Sequence, residues 1–477
     1  MGRPPSRPVS LEPTLCPAYA RPTMTAAASP PLAAPAPLRT RSLEERLAGT
    51  PYDAYLYGYP HKTAYRELSP ARALSDVWSG ERKDALFLYL HVPFCEMRCG
   101  FCNLFTTPDT REDRVSRYLD VLGRQARIVR AEIGPGAFSR MAIGGGTPTL
   151  LDPAGLERVL DVAEGVFGVA PRAIPVSVET SPETCTPDKM RLLARRGVDR
   201  VSIGVQSFVE AESAAVKRPQ RLADVERAID AIRDAGVPTL NVDLMYGLPG
   251  QTPDTWRASL EKAVALRAEE LYLYPLYVRP VTTLSRRPRD WDDERLALYR
   301  QAVTFLKGAG YKQLSMRMFR AAHAPGEEGP VYCVQEDGMV GLGVGARSYT
   351  RALHYASDWA VGARGVLDIV DRWLDSSDAD LARASHGFEL DGDEQRRRHV
   401  ALGLFVDGGL DLARYRARFG TDAATDLPLG ELVRLGVARE ERGVLFLTEL
   451  GLERSDVVGP WLFSDRVQAL MRGFDLR

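Results

Sequence analysis

The chain has 477 residues, 45% hydrophobic and 26% charged, with a formal net charge of −1. That length supplies a large core and two or three domains. A charge this close to zero excludes the generally basic surface that attracts nucleic acid or an anionic membrane, and no apolar run reaches the roughly eighteen residues that a membrane-spanning helix needs.

In chain order, residues 1–45 form a Pro/Ala-rich tail, expected to be disordered and lacking the continuous apolar segment of a signal peptide; Met24 is an alternative start. Residues 46–84 form an N-terminal segment in which YDAYLYGYPHKTAYREL (52–68) gathers five tyrosines with His61, Lys62 and Arg66. From 85 to 320, β-rich runs alternate with amphipathic helical patterns. The strands are ALFLYLHV (85–92), RMAIGG (140–145), IPVSVET (174–180), RVSIGVQ (200–206), TLNVDLMYG (239–247) and ELYLYPLY (270–277). Helical stretches such as PAGLERVLDVAEGVF and LADVERAIDAIRDAG follow them, several with Pro or Asp at the start and Gly at the end. Six strands each followed by a helix predict an α/β fold, a partial (β/α)6 TIM-like barrel. Gly145, Gly146, Thr147, Glu179, Gln206 and Asp243 fall at the C-terminal ends of successive strands, where barrel enzymes assemble their sites.

After a further helix, DERLALYRQAVTFLKGAG, the run YKQLSMRMF reads as one strand. Residues 321–387 connect, on the substrate side, through a Gly-rich segment at 337–350. Residues 388–477 are mostly helical and end in a short strand pair around GVLFLTELG, a winged-helix-like module read as a structural lid because its charge is mixed.

Cys95, Cys99 and Cys102 stand at spacing C-x3-C-x2-C directly after the first barrel strand. Half of the six cysteines within eight residues fits a metal site in a reducing cytoplasm better than a disulfide framework. Structural zinc would require a fourth ligand from Cys185, Cys333 or His91. A C-x-x-C redox pair lacks its usual context here. A [4Fe–4S] cluster held by three thiolates would leave one iron open for chemistry.

C-x3-C-x2-C behind HVPF, with Phe101 just before the last cysteine, resembles the cluster loop of the radical S-adenosylmethionine (SAM) superfamily. YLHVPFC, GGGTPT, VETSP, GVQSF and DLMYGLPGQT follow the order and rough spacing of the oxygen-independent coproporphyrinogen III oxidase family and its relatives, from about residue 50 to the C-terminus. The resemblance implies that Cys95, Cys99 and Cys102 hold a [4Fe–4S] cluster whose open iron chelates SAM, and that electron transfer to the sulfonium yields a 5′-deoxyadenosyl radical. Tyr89, Gly145 and Glu179 match positions that hold the cluster-bound SAM. Phe101, Gly146, Thr147, Gln206, Arg218 and Asp243 match positions that hold a second SAM. The glycines at 144–146 are expected to let a ligand approach the backbone closely.

Residues 52–68 resemble the tyrosine-rich segment that helps enclose the oxidase's active site, a segment the haem chaperone relatives lack. The substrate-side segments 271–280, 315–319 and 332–350 depart from the oxidase, a combination that is similar to the methyltransferases and cyclopropanases of the family. The expected function is therefore methyl or methylene transfer from a second SAM to a small molecule; the alternatives are the oxidase itself or a haem chaperone. A flavodoxin or ferredoxin as reductant, a cytoplasmic location and no nucleic-acid partner complete the expectation. Cys333 reads as a buried small hydrophobe or a pocket thiol, and Cys185 as structural.

Overall fold

The computed structural model describes residues 41–55, 58–277, 292–326, 330, 332–334 and 336–474. The tail through residue 40, with Cys16 and Met24, lies outside them, as do residues 278–280 of the expected substrate-side segment.

Thirteen strands form one sheet: β1 (Arg66–Ala73), β2 (Leu86–Val92), β3 (Phe138–Gly145), β4 (Val176–Thr180), β5 (Arg200–Gln206), β6 (Thr239–Tyr246), β7 (Glu270–Pro275), β8 (Tyr311–Gln313), β9 (Met318–Ala321), β10 (Met339–Leu342), β11 (Arg347–Tyr349), β12 (Leu353–Ala356) and β13 (Arg383–Glu389). Their order is β1-β13-β12-β11-β10-β2-β3-β4-β5-β6-β7-β9-β8. Strands β10 and β2 to β7 run parallel, and both flanks are antiparallel. The six expected strands thus form the centre of a mixed α/β sheet.

Register sorts the side chains. Tyr89 pairs with Ala142, Ala142 with Ser177, Glu179 with Ser202, Gly204 with Asp243, and Asp243 with Tyr272, so strand alternation sends all of these to one face. Their neighbours Leu88, Leu90, Ile143, Val178, Ile203 and Val242 take the other face and are fully buried against the helices, with Tyr118, Leu156, Met190, Ile229 and Trp256 in the same core. Each aliphatic side chain so buried contributes about 1.5–3 kcal/mol. The helix-covered face is apolar and the concave face is polar.

Four readings need correction. The Gly-rich segment supplies a seventh parallel strand, β10 beside β2, rather than a loop. Glycine is depleted in strands, which hid it; here it is required, because a Cβ on Gly341 would lie 2.2 Å from the Arg347 carbonyl oxygen. YKQLSMRMF is a hairpin, β8 and β9, with the Ser315 hydroxyl accepting from the backbone N–H groups of Arg317 (3.3 Å) and Met318 (3.1 Å) at its turn. The N-terminal segment contributes an edge strand, β1, where Pro70 costs no ladder bond. Finally, the boundary placed at residue 45 falls inside the helix Leu43–Leu47, whose Ser42 and Glu45 form a reciprocal capping box. Leu43 packs into the C-terminal core beside Val400, Leu432 and Val458.

The C-terminal part combines helices, among them Gly392–Leu404 and Ser455–Trp461, with a small antiparallel sheet of Leu410–Asp411, Ala438–Glu441 and Val444–Leu447. The N-terminal segment joins this part to the barrel mouth: Tyr59 donates to Glu394, and Lys62 Nζ donates to the Asn103 carbonyl (3.2 Å) while lying 3.9 Å over the Trp359 ring.

Candidate active site

At the C-terminal end of β2 the chain turns through Pro93 and Phe94 into the cysteine loop, clamped to the following segment by Cys95 N–H to Thr107 O (2.9 Å) and Thr107 N–H to Pro93 O (2.8 Å). The thiols meet hydrogen-bonding groups: Thr147 Oγ1 is 3.7 Å from Cys95 Sγ, Arg218 Nη1 is 3.3 Å from Cys99 Sγ, and Thr106 Oγ1 is 3.8 Å from Cys102 Sγ. The fourth-ligand candidates are elsewhere or engaged. Cys185 is in the core, its thiol on the Ala228 carbonyl; the Cys333 N–H donates to Asp337; His91 contacts the Phe105 carbonyl oxygen through Nε2 (2.9 Å) and the Tyr89 hydroxyl through Nδ1 (3.2 Å). Among the described residues no three His, Cys, Asp or Glu side chains are close enough to hold one metal ion. Three thiols spread around a shared opening suit a polynuclear cluster better than a single zinc.

Gly145 and Gly146 line the opening and are also closely packed against protein. A Cβ on Gly146 would lie 2.3 Å from the Phe94 carbonyl oxygen, and one on Gly145, at φ +117°, 2.7 Å from the His91 ring. Their lack of side chains lets β3 close against the cysteine loop, protein against protein. Because Gly146 N–H to Val92 O and Thr147 N–H to Phe94 O (both 2.7 Å) tie the two segments together, neither can retreat. Gly146→Ala is expected to cost about 1–3 kcal/mol by overpacking, checked by urea unfolding, and to lower the iron held per chain.

Above this contact lies a cavity of about 470 Å³, within the range of small-molecule sites. Cys95, Cys99, Cys102, Phe101, Gly145, Gly146, Thr147, Glu179, Gln206, Arg218 and Asp243 all line it. Tyr89 does not: it stands below, its hydroxyl on His91. Sequence reasoning missed Glu96, Ser202, Tyr274 and Arg347 in the wall, where Tyr55, His61 and Lys62 of the N-terminal segment join them. The inward parity of Ser202 and Tyr274 was a readable signal; Arg347 comes from β11, on the unexpected flank. A larger cavity, about 960 Å³, opens at the other end of the strands, but Arg200 and Arg320 there both pair with Glu270 (2.7 and 2.5 Å), and no site residue reaches it.

Residues 89–263 match the radical SAM superfamily. That match spans the cysteine loop and strands β3 to β6. It is 27% identical to the haem chaperone HemW of Bacillus subtilis over 383 residues, 78% of this chain and 98% of that one. It is 28% identical to an oxygen-independent coproporphyrinogen III oxidase of Pseudomonas aeruginosa over 410 residues, covering 79% and 83% of the two chains. The corresponding oxidase of Paracoccus denitrificans is 33% identical over 243 residues, 53% of its length. The crystal structure of coproporphyrinogen III oxidase from Escherichia coli, a radical SAM enzyme, shares the fold at a TM-score of 0.72 and 21% identity, covering 86% of this chain and 96% of that one. The expected methyl or methylene transfer finds no support among these relatives, which favour the oxidase or chaperone alternative.

A radical SAM domain implies a [4Fe–4S] cluster and SAM, and the donor set of three thiols with three hydrogen-bonding neighbours fits that cluster. Burial pushes the Cys95 thiol up to about 12 and raises that of Cys102, so iron, when bound, would be what holds these sulfurs as thiolates. Glu179 is exposed to the opening yet walled in by protein; this desolvation pushes its carboxyl up to about 7, opposed by the Gly145 N–H that donates to it at 3.0 Å. Burial likewise pushes Asp243 up to about 6 against donation from Asn241 Nδ2 (2.8 Å). Gln206, a non-glycine residue at φ +68°, sits at the register break between β5 and β6. No helix of the described residues is long and apolar enough to cross a membrane.

Proposed function

We propose that this radical SAM enzyme acts on a small molecule in the manner of the oxygen-independent coproporphyrinogen III oxidases, by oxidative decarboxylation of a propionate-bearing porphyrinogen. The observation that carries the reading is the composition of one cavity: the three thiols and the carboxylates Glu179 and Asp243 share it with cationic Lys62 and Arg347 and with the rings of Tyr55, Tyr274 and Tyr277. Such a wall suits a large, partly apolar substrate carrying carboxylates.

When bound, the cluster and SAM supply the hydrogen-abstracting radical. Cys95, Cys99 and Cys102 would hold the cluster. Gly145 and Glu179 receive that SAM, Glu179 accepting from its hydroxyl or ammonium groups, with Tyr89 supporting His91 from beneath. Phe101, Gly146, Thr147, Gln206, Arg218 and Asp243 receive a second SAM. A reductant such as a flavodoxin or ferredoxin, a cytoplasmic location and independence from nucleic acid belong to the same reading.

Ionised Glu179 accepts from hydroxyl and ammonium donors more strongly than its protonated form, which gives up one oxygen as a donor. With its carboxyl raised to about 7, SAM affinity is expected to fall about tenfold per pH unit below that value, while His91, which burial pushes down to about 4, stays neutral. Equilibrium dialysis of labelled SAM across this range checks the slope, and Glu179→Gln should flatten it.

The deciding experiment incubates cluster-loaded protein with coproporphyrinogen III, SAM and reductant without oxygen. Protoporphyrinogen, carbon dioxide and 5′-deoxyadenosine are expected products; stoichiometric haem binding without turnover would replace the reading by the chaperone one, which the near-complete coverage of the Bacillus subtilis relative favours.

A further inference from the structure

The polar face of the sheet continues beyond the cavity. In the β11–β12 pairing Tyr349 stands directly opposite His354, and alternation puts Arg347 on the same face. Arg347 lines the cavity. His354 lies one cross-strand pair farther along, 2% exposed, its ring centroid 4.4 Å from that of Tyr349. Both of its ring nitrogens are buried without a hydrogen-bond partner among the described residues. A buried imidazole offers one donor and one acceptor, and leaving both unmade is costly unless something else occupies the space.

A second element reaches this place. Arg398, on the C-terminal helix Gly392–Leu404, is buried and donates to the Val334 carbonyl oxygen at 2.6 Å. After burial itself, the charges acting on His354 are those of Arg398 and Arg347, both cationic, and together they hold the imidazole neutral. A cationic ligand group is therefore disfavoured. A carboxylate, which accepts from guanidinium groups and from an imidazole N–H, suits those surroundings.

We propose that Arg347, which lines the cavity, forms with His354 and Arg398 a carboxylate-binding subsite that anchors a carboxylate of the small-molecule substrate. It rests on the reading that this cavity takes a carboxylate-bearing substrate, and it assigns the C-terminal helix a part in recognition as well as closure. The anchored group lies on the β10–β12 flank, so the rest of the molecule extends across the opening toward Glu179 and the thiols.

The chain has six histidines, so cluster-loaded protein labelled with [ε1-13C]histidine gives few signals, and His354 is assigned from its loss in His354→Gln. Titration with benzoate is expected to move that signal saturably, benzyl alcohol to leave it in place, and Arg347→Met to weaken the benzoate response roughly tenfold, the loss of one charge-assisted contact. A signal unmoved by benzoate, moved equally by the alcohol, or insensitive to Arg347→Met would overturn the subsite. None of these readouts requires turnover. Failure of coproporphyrinogen as a substrate would remove the oxidase reading and leave a positive benzoate result standing; turnover with an inert His354 would do the reverse.

Discussion

Replacing Cys95, Cys99 or Cys102 singly by alanine is expected to remove the cluster and with it all cleavage of SAM, whereas Cys185→Ala and Cys333→Ser should keep both. The contrast follows from position. The first three line one cavity and each faces a hydroxyl or guanidinium donor; Cys185 is buried in the hydrophobic core, and Cys333 lies beside Asp337. A cubane held by two thiolates has lost a third of its protein attachment. Iron and sulfide analysis after anaerobic reconstitution, with far-UV circular dichroism to show that the fold persists, decides the matter. A Cys99→Ala protein that retained a full iron complement would refute the assignment.

The second large effect lies at the closure of the mouth. Asp456, fully buried on the C-terminal helix Ser455–Trp461, pairs with Arg317 (2.6 Å), which is itself 7% exposed, and accepts from the Tyr277 hydroxyl. Arg317 stacks 3.9 Å from the Tyr55 ring, and both tyrosines line the cavity. One ion pair thus joins the C-terminal part, the barrel and the N-terminal segment. Asp456→Ala leaves a buried guanidinium without its counter-ion and is expected to cost about 3–5 kcal/mol, read from the urea midpoint. Exchanging both partners for apolar residues, Asp456→Leu with Arg317→Met, should recover much of that loss, because the penalty comes from the stranded charge. If the double replacement unfolds as readily as the single one, the pair is not the source of the stability.

The legible features share a local physical cause. Strand alternation and helix periodicity are properties of neighbouring residues, so six parallel strands were placed within a few residues of their observed bounds. The cysteine spacing and the polar residues at strand ends could be read for the same reason. Hidden features depended on partners distant in the chain. β10 is glycine-rich because Gly341 must clear the Arg347 carbonyl, a constraint no local propensity contains. β1 is polar and holds a proline because it is the sheet's edge. The capping box at Ser42 and Glu45 was readable, but the Pro/Ala composition just before it drew the boundary past it.

By itself, the sequence determined the cluster loop, the order of the barrel strands and the set of residues at their C-terminal ends, since each is carried by a short run whose chemistry is complete in itself. Only the tertiary structure decided that Gly145 and Gly146 let the end of β3 close on His91 and Phe94, that Tyr89 does not line the cavity, and that Arg347 of β11 does. Those outcomes depend on which strands become neighbours and on what a missing Cβ allows to approach, and both are set by packing across the sheet.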